Sequence, residues 1–83
     1  MIVHSANEMA ESIKDSRKRQ KLSQAEVGDR VGMKQATVSA FENKPASTKL
    51  ETLFKILAAL DLELQVVPRG SANQAKSGWD QEW

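Results

Sequence analysis

Apolar residues recur at helical spacing in four stretches of this chain and at alternating spacing in one. The first stretch opens with Ser5-Ala-Asn-Glu8, the pattern of a capping box, and carries a narrow stripe of Ala6, Met9 and Ile13 on through Ser16 and Gln20. Its last turn collects Arg17, Lys18, Arg19 and Lys21, charges that the C-terminal end of a helix dipole favours. Arg17 lies at the edge of the stripe, where an ion pair with Glu42 is expected. The second stretch begins at Ser23, whose hydroxyl is placed to cap the Glu26 amide while the Glu26 carboxylate reaches back. Val27 and Val31 share one face, and Gly32 supplies a left-handed C-cap at little cost. The third, over about residues 34–42, turns Met33, Val38 and Phe41 inward and Gln35, Ala36, Ser39, Ala40 and Asn43 outward.

Helical pattern then breaks at residues 43–47, where Pro45 removes a donor and restricts Lys44 to extended conformations, so a loop is expected. Thr48-Lys-Leu-Glu51 reads as a third capping box, opening a helix to about Leu60. Its apolar residues Leu50, Leu53, Phe54, Ile56, Leu57 and Leu60 span about 160° of the helix, against roughly 100° for the stripe a lone helix buries. Part of that face is expected to meet another subunit.

Leu62, Leu64 and Val66 alternate with Glu63 and Gln65 before Val67 and Pro68, the pattern of a half-buried strand ended by proline. No other segment reads as a strand, so its simplest partner is its own copy in a second chain. The expected fold is mostly α: four helices in a helix-turn-helix domain, plus one C-terminal strand pairing across a homodimer. Leu57, Leu60, Leu62, Leu64 and Val66 are the expected interface.

Eighty-three residues allow one domain, and at that size dimerisation would help a marginal core. The chain has no cysteine and a single histidine, His4, which excludes a disulfide framework and a thiolate metal site, and no cofactor is expected. No nucleophile–base motif, glycine-rich phosphate loop, signal segment or membrane-spanning run is present, so a non-enzymatic, cytoplasmic protein is expected. Net charge is only +1, but up to Lys49 nine basic residues face six acids, whereas beyond it three face five. The basic part contains the two short central helices, as phosphate binding would require.

The outward face of the third helix is small, polar and uncharged, unlike an ordinary solvated surface rich in Lys and Glu. Gln35 can pair bidentately with adenine, Lys34 can donate to guanine, Ser39 suits several base edges and Ala36 can touch a thymine methyl. Two short helices joined at a glycine, the second bearing such a face, describe a helix-turn-helix whose second helix enters the major groove. The stretch Leu22-Ser-Gln-Ala-Glu-Val-Gly-Asp-Arg-Val-Gly-Met-Lys-Gln-Ala-Thr-Val-Ser-Ala-Phe-Glu resembles the Cro/C1-type (XRE) family of bacterial repressors, over about residues 9–62. The family places a good N-capping residue where this chain has Lys34, which favours Lys34 as a DNA contact. The resemblance implies that Gln24 touches a backbone phosphate and buttresses Gln35. Base contacts are thus expected from Lys34, Gln35, Ala36 and Ser39, and phosphate contacts from Arg19, Ser23, Gln24, Thr37, Asn43, Lys44 and Lys49. The expected partner is a palindromic operator.

A narrower resemblance is to antitoxins of that family that repress their own operon and pair with a HipA-like serine/threonine kinase. It is carried by Met33-Lys-Gln-Ala-Thr-Val-Ser39, by Phe41-Glu-Asn43, by residues 62–67, where many members of the wider family have a fifth helix, and by Glu82-Trp83. Residues 69–77 lack apolar periodicity and read as a linker, dividing a domain over residues 1–68 from a tail over residues 69–83. Both tryptophans, Trp79 and Trp83, fall in that tail. Tryptophan is enriched as an interface anchor, and the resemblance implies the kinase as what Trp79 and Trp83 bind.

Overall fold

The computed structural model describes residues 2–69, so the expectations for Trp79 and Trp83 lie outside the described residues. Four helices follow in order: α1 (Ala6–Arg19), α2 (Gln24–Val31), α3 (Gln35–Asn43) and α4 (Leu50–Ala59), with a 3₁₀ turn, Pro45–Ser47, where a loop was expected. Pro45 supplies the fixed φ that starts such a turn.

The helix starts follow the caps unevenly. At α2 the box is complete: Ser23 Oγ accepts from the Glu26 amide at 3.0 Å, and Glu26 Oε1 accepts from the Ser23 amide at 2.8 Å. At α1 the Ser5 hydroxyl accepts from the Glu8 amide, but the Glu8 carboxylate takes the His4 amide instead of that of Ser5. The α1 stripe also differs, since Ala6 is exposed and Ala10 is buried beside Ile13. The third box does not form. The Thr48 amide closes the 3₁₀ turn onto the Pro45 carbonyl at 3.0 Å, and α4 starts one residue later with Lys49 at its N-cap and no side-chain cap.

Three helices end in the same way. After α1, α2 and α4 a residue adopts positive φ (Lys21 at 60°, Gly32 at 67°, Asp61 at 59°). The next amide bonds back five residues, from Leu22 to Arg17, Met33 to Gly28 and Leu62 to Leu57. This left-handed termination satisfies carbonyls that a helix end leaves free. Only at Gly32 does the residue type announce it.

The core is built from Ala10 and Ile13 of α1, Val27 of α2, Val38 and Phe41 of α3, and Leu53, Ile56, Leu57 and Ala59 of α4 with Leu60. Val27 and Val38 have no exposed surface, so each contributes roughly 1.5–3 kcal/mol and together they fix α3 against α2. α2 packs on both α3 and α4, while α1 packs on α3 and the 3₁₀ turn. Two side chains finish α4: Gln20 Nε2 donates to the Leu60 carbonyl at 2.8 Å and an Arg30 guanidinium nitrogen to that of Ala59 at 2.9 Å.

Leu57 and Leu60, expected at a dimer interface, are 5% and 1% exposed within their own protomer, because the arc they occupy already lies in the protomer's own core, where α2 packs on α4. The large apolar side chains that α4 leaves open are Leu50 and Phe54. Beyond Leu62, which packs on the core, Leu64, Val66 and Val67 are exposed, and no strand forms among the described residues. A segment without a partner strand has no ladder to join.

Candidate nucleic-acid interface

Gly28 and Gly32 set the angle between α2 and α3. Gly28 is buried, and a Cβ there would overlap the Met33 carbonyl oxygen, so the turn passes directly over α2 at this point. The tight crossing turns Val38 and Phe41 into the core and leaves Lys34, Gln35, Ala36 and Ala40 exposed, with Ser39 half-buried. Lys34 stands at the N-cap of α3 without a side-chain cap, since an ammonium has no acceptor to offer the first amides of the helix.

Beneath this face runs a chain of polar contacts. Arg17 Nε and a second guanidinium nitrogen donate to the two Glu42 carboxylate oxygens at 2.7 and 3.0 Å, the expected ion pair, and a third nitrogen donates to the Leu22 carbonyl. The pair is nearly closed to solvent, with side chains 11% and 3% exposed. Gln24 Nε2 donates to Glu42 Oε1 at 2.9 Å, and Gln35 Nε2 approaches Gln24 Oε1 at 3.4 Å. Burial pushes the Glu42 carboxyl up, but the hydrogen bonds from Arg17 and Gln24, with the charges of Arg17 and Lys14, outweigh it and hold the group below its ordinary range. Glu42 is therefore a fixed anion at neutral pH, and Gln24 stands against Gln35 as a support.

On the far side of the face Asn43 Nδ2 donates to Ser39 Oγ at 3.1 Å, leaving the serine proton free for a base acceptor. Thr37, Lys44 and Lys49 line one open concavity of about 360 Å³ with Ser47, Thr48 and Thr52, next to the uncapped N-terminus of α4. Two ammonium groups, several hydroxyls and a helix N-terminus are the chemistry a phosphate needs. Ser23 has both its amide and its hydroxyl oxygen engaged by Glu26, so only its hydroxyl proton remains to give. Arg19 is exposed on α1, and among the described residues no hydrogen bond or ion pair links it to this group.

Neither the crossing at Gly28 nor the bonds of Gln20 and Arg30 to the end of α4 is signalled by the local pattern. Gly28 matters only because Met33 returns over it, and the other two side chains act on α4 from 40 and 29 positions away. An unremarkable glycine inside a helical pattern was the one available signal.

Helices α2 and α3, joined at Gly32 with an uncharged outer face on α3, define a helix-turn-helix domain. Residues 13–67 match the family described as Helix-turn-helix (HTH_3), and the chain belongs to this Cro/C1-type helix-turn-helix family. It is similar to Antitoxin HipB of Escherichia coli O6:H1, at 37% identity over 82 residues, covering 98% of this chain and 87% of that protein. Two solved structures are also similar. One is the "Structure of HipA-HipB-O2-O3 complex", with 36% identity, a TM-score of 0.81 and coverage of 83% of this chain and 97% of the other. The "HipB-O4 20mer complex" matches with 36% identity, a TM-score of 0.82 and the same coverages, 83% and 97%. No helix among the described residues is long and apolar enough to cross a membrane.

Proposed function

We propose that this protein is a dimeric, sequence-specific DNA-binding repressor that acts as an antitoxin, autoregulating its operon and binding a HipA-like serine/threonine kinase. The observation that carries the DNA-binding part is the supported Gln35 on an otherwise small and uncharged α3 face. Lys34, Gln35, Ala36 and Ser39 contact base edges in the major groove. Gln24, Thr37, Asn43, Lys44, Lys49, Arg19 and the Ser23 hydroxyl contact phosphates and fix the register. Residues 1–68 form the binding and dimerisation domain, and residues 62–67 pair with their copy in a second chain, where Leu62, Leu64 and Val66 meet together with the exposed Leu50 and Phe54. Such a protein works in the cytoplasm on the nucleoid and carries out no catalysis itself.

The kinase part is supported by similarity along nearly the whole chain to HipB, including a solved structure whose name joins HipB to HipA. Trp79 and Trp83 are the tail contacts with the kinase. Electrophoretic shift of the chain's own upstream DNA at two salt concentrations tests the repressor, and co-purification with the product of the neighbouring gene tests the antitoxin. DNA binding without any kinase capture would favour a stand-alone Cro/C1-type regulator.

A further inference from the structure

We infer that Glu42, which touches no base in the proposed DNA complex, sets which base Gln35 selects, by fixing the direction in which two glutamine side chains point their amides. The inference rests on the proposed reading of bases by α3.

An ionised carboxylate cannot donate a hydrogen bond. An ionised Glu42 offers only acceptors, so the atom Gln24 presents to it must be the amide nitrogen, as the 2.9 Å contact has it. An amide is planar and two-ended, and placing its nitrogen on Glu42 leaves its oxygen toward Gln35. Gln24 Oε1 in turn accepts only from a donor, so Gln35 turns its own nitrogen inward at 3.4 Å. What Gln35 has left is one carbonyl oxygen and one remaining N–H. That pair, an acceptor beside a donor, complements the N6 amino group and N7 of adenine and mismatches the two acceptors, O6 and N7, that guanine shows in the same groove. Arg17 holds the start of the relay, since its fork occupies both Glu42 oxygens and excludes rotation of the carboxylate. With glutamine at position 42 the first acceptor becomes two-ended itself. Either orientation of Gln24 then finds a partner, and the polarity arriving at Gln35 is no longer fixed.

Glu42 is a positioning residue in this account, and base discrimination is the property that a purely structural role would leave alone. The test uses the full chain and duplexes selected from a randomised pool, with each of the four bases then placed at the position Gln35 reads. Wild type should favour adenine there by roughly tenfold or more. Glu42→Gln should lose most of that preference while keeping its preference at the base read by Lys34. Because Glu42→Gln leaves Arg17 without a full charge partner and could fail to fold, Gln24→Ala serves as the second variant. It keeps the ion pair intact and breaks the relay one step later, so it should lose the same preference, with any lost phosphate contact appearing equally on all four duplexes. Unchanged adenine preference in a folded Glu42→Gln or in Gln24→Ala overturns the relay and leaves the repressor proposal standing. If wild type enriches no sequence at all, the base-reading proposal fails, and the relay with it.

Discussion

The Met33 amide donates to the Gly28 carbonyl at 2.8 Å, and a methyl group at Gly28 would overlap the Met33 carbonyl oxygen. Backbone meets backbone at this crossing, so no flexible side chain is available to yield. Gly28→Ala is expected to destabilise the domain by about 1–3 kcal/mol through overpacking and to tilt α3 away from α2. Thermal denaturation checks the first effect, and a DNA affinity that falls more than stability explains would report the second. A variant with unchanged melting temperature would show that the crossing relaxes freely.

Lys21 performs after α1 the service that Gly32 performs after α2, at a similar φ and without glycine's freedom. A side chain there costs about 1–2 kcal/mol relative to a residue that enters the left-handed region easily. Lys21→Gly is therefore expected to raise the melting temperature, offset in part by the greater entropy of the unfolded chain. A lowered melting temperature would mean that the lysine side chain makes a contribution beyond its backbone conformation.

These termini mark how far the sequence carried. The capping box of Ser23 and Glu26, the stop at Gly32, the burial of Val38 and Phe41 and the pairing of Arg17 with Glu42 depend on local pattern or on strong chemical preference, and all were legible. The ends at Lys21 and Asp61 were not, because neither residue type signals positive φ. Thr48 looked like a cap, but the turn begun by Pro45 took its amide first. Leu57 and Leu60 looked available to a partner because helical periodicity gives an arc without saying what already covers it. The pairing of residues 62–67 depends on a second chain, which periodicity can call for but not place.

Acid should act on the buried ion pair. Burial opposes the charged form of Glu42, but Arg17, Gln24 and Lys14 together depress its pKa below the ordinary 4.5. A depressed carboxylate contributes stability that is fully present above the unfolded value and is lost as pH falls through the folded one. Wild type should therefore be more stable than Glu42→Gln at neutral pH, and the gap should narrow below about pH 4.5. Glu26, depressed chiefly by its hydrogen bond from the Ser23 amide, is present in both proteins and drops out of the difference. Melting temperatures of the two from about pH 7 to about pH 3 check this. A gap that stays constant with pH would contradict it.

The proposed ribbon predicts that Val66→Pro, which removes a ladder donor, converts dimer to monomer in sedimentation. An unchanged dimer would reject pairing through residues 62–67 while leaving open association through Leu50 and Phe54 of α4.

Removal of residues 79–83 is expected to weaken association with the proposed kinase partner while leaving DNA affinity nearly unchanged, since a short anchor contributes modestly beside a larger interface. Calorimetry of the two chains against the kinase measures the difference, and equal affinities would remove Trp79 and Trp83 from the proposed contact.

Base reading by α3 through Gln35 is tested by binding isotherms of wild type and Gln35→Ala on the preferred duplex and on a scrambled one. The expected loss is about 1–3 kcal/mol on the preferred duplex and almost none on the scrambled one, with relaxed preference at a single position. Lys49→Ala gives the contrast, weakening both duplexes alike and reducing the salt dependence by roughly one phosphate contact. Equal affinity of wild type and Gln35→Ala for the preferred duplex would contradict the assignment of α3 as the helix that reads the sequence.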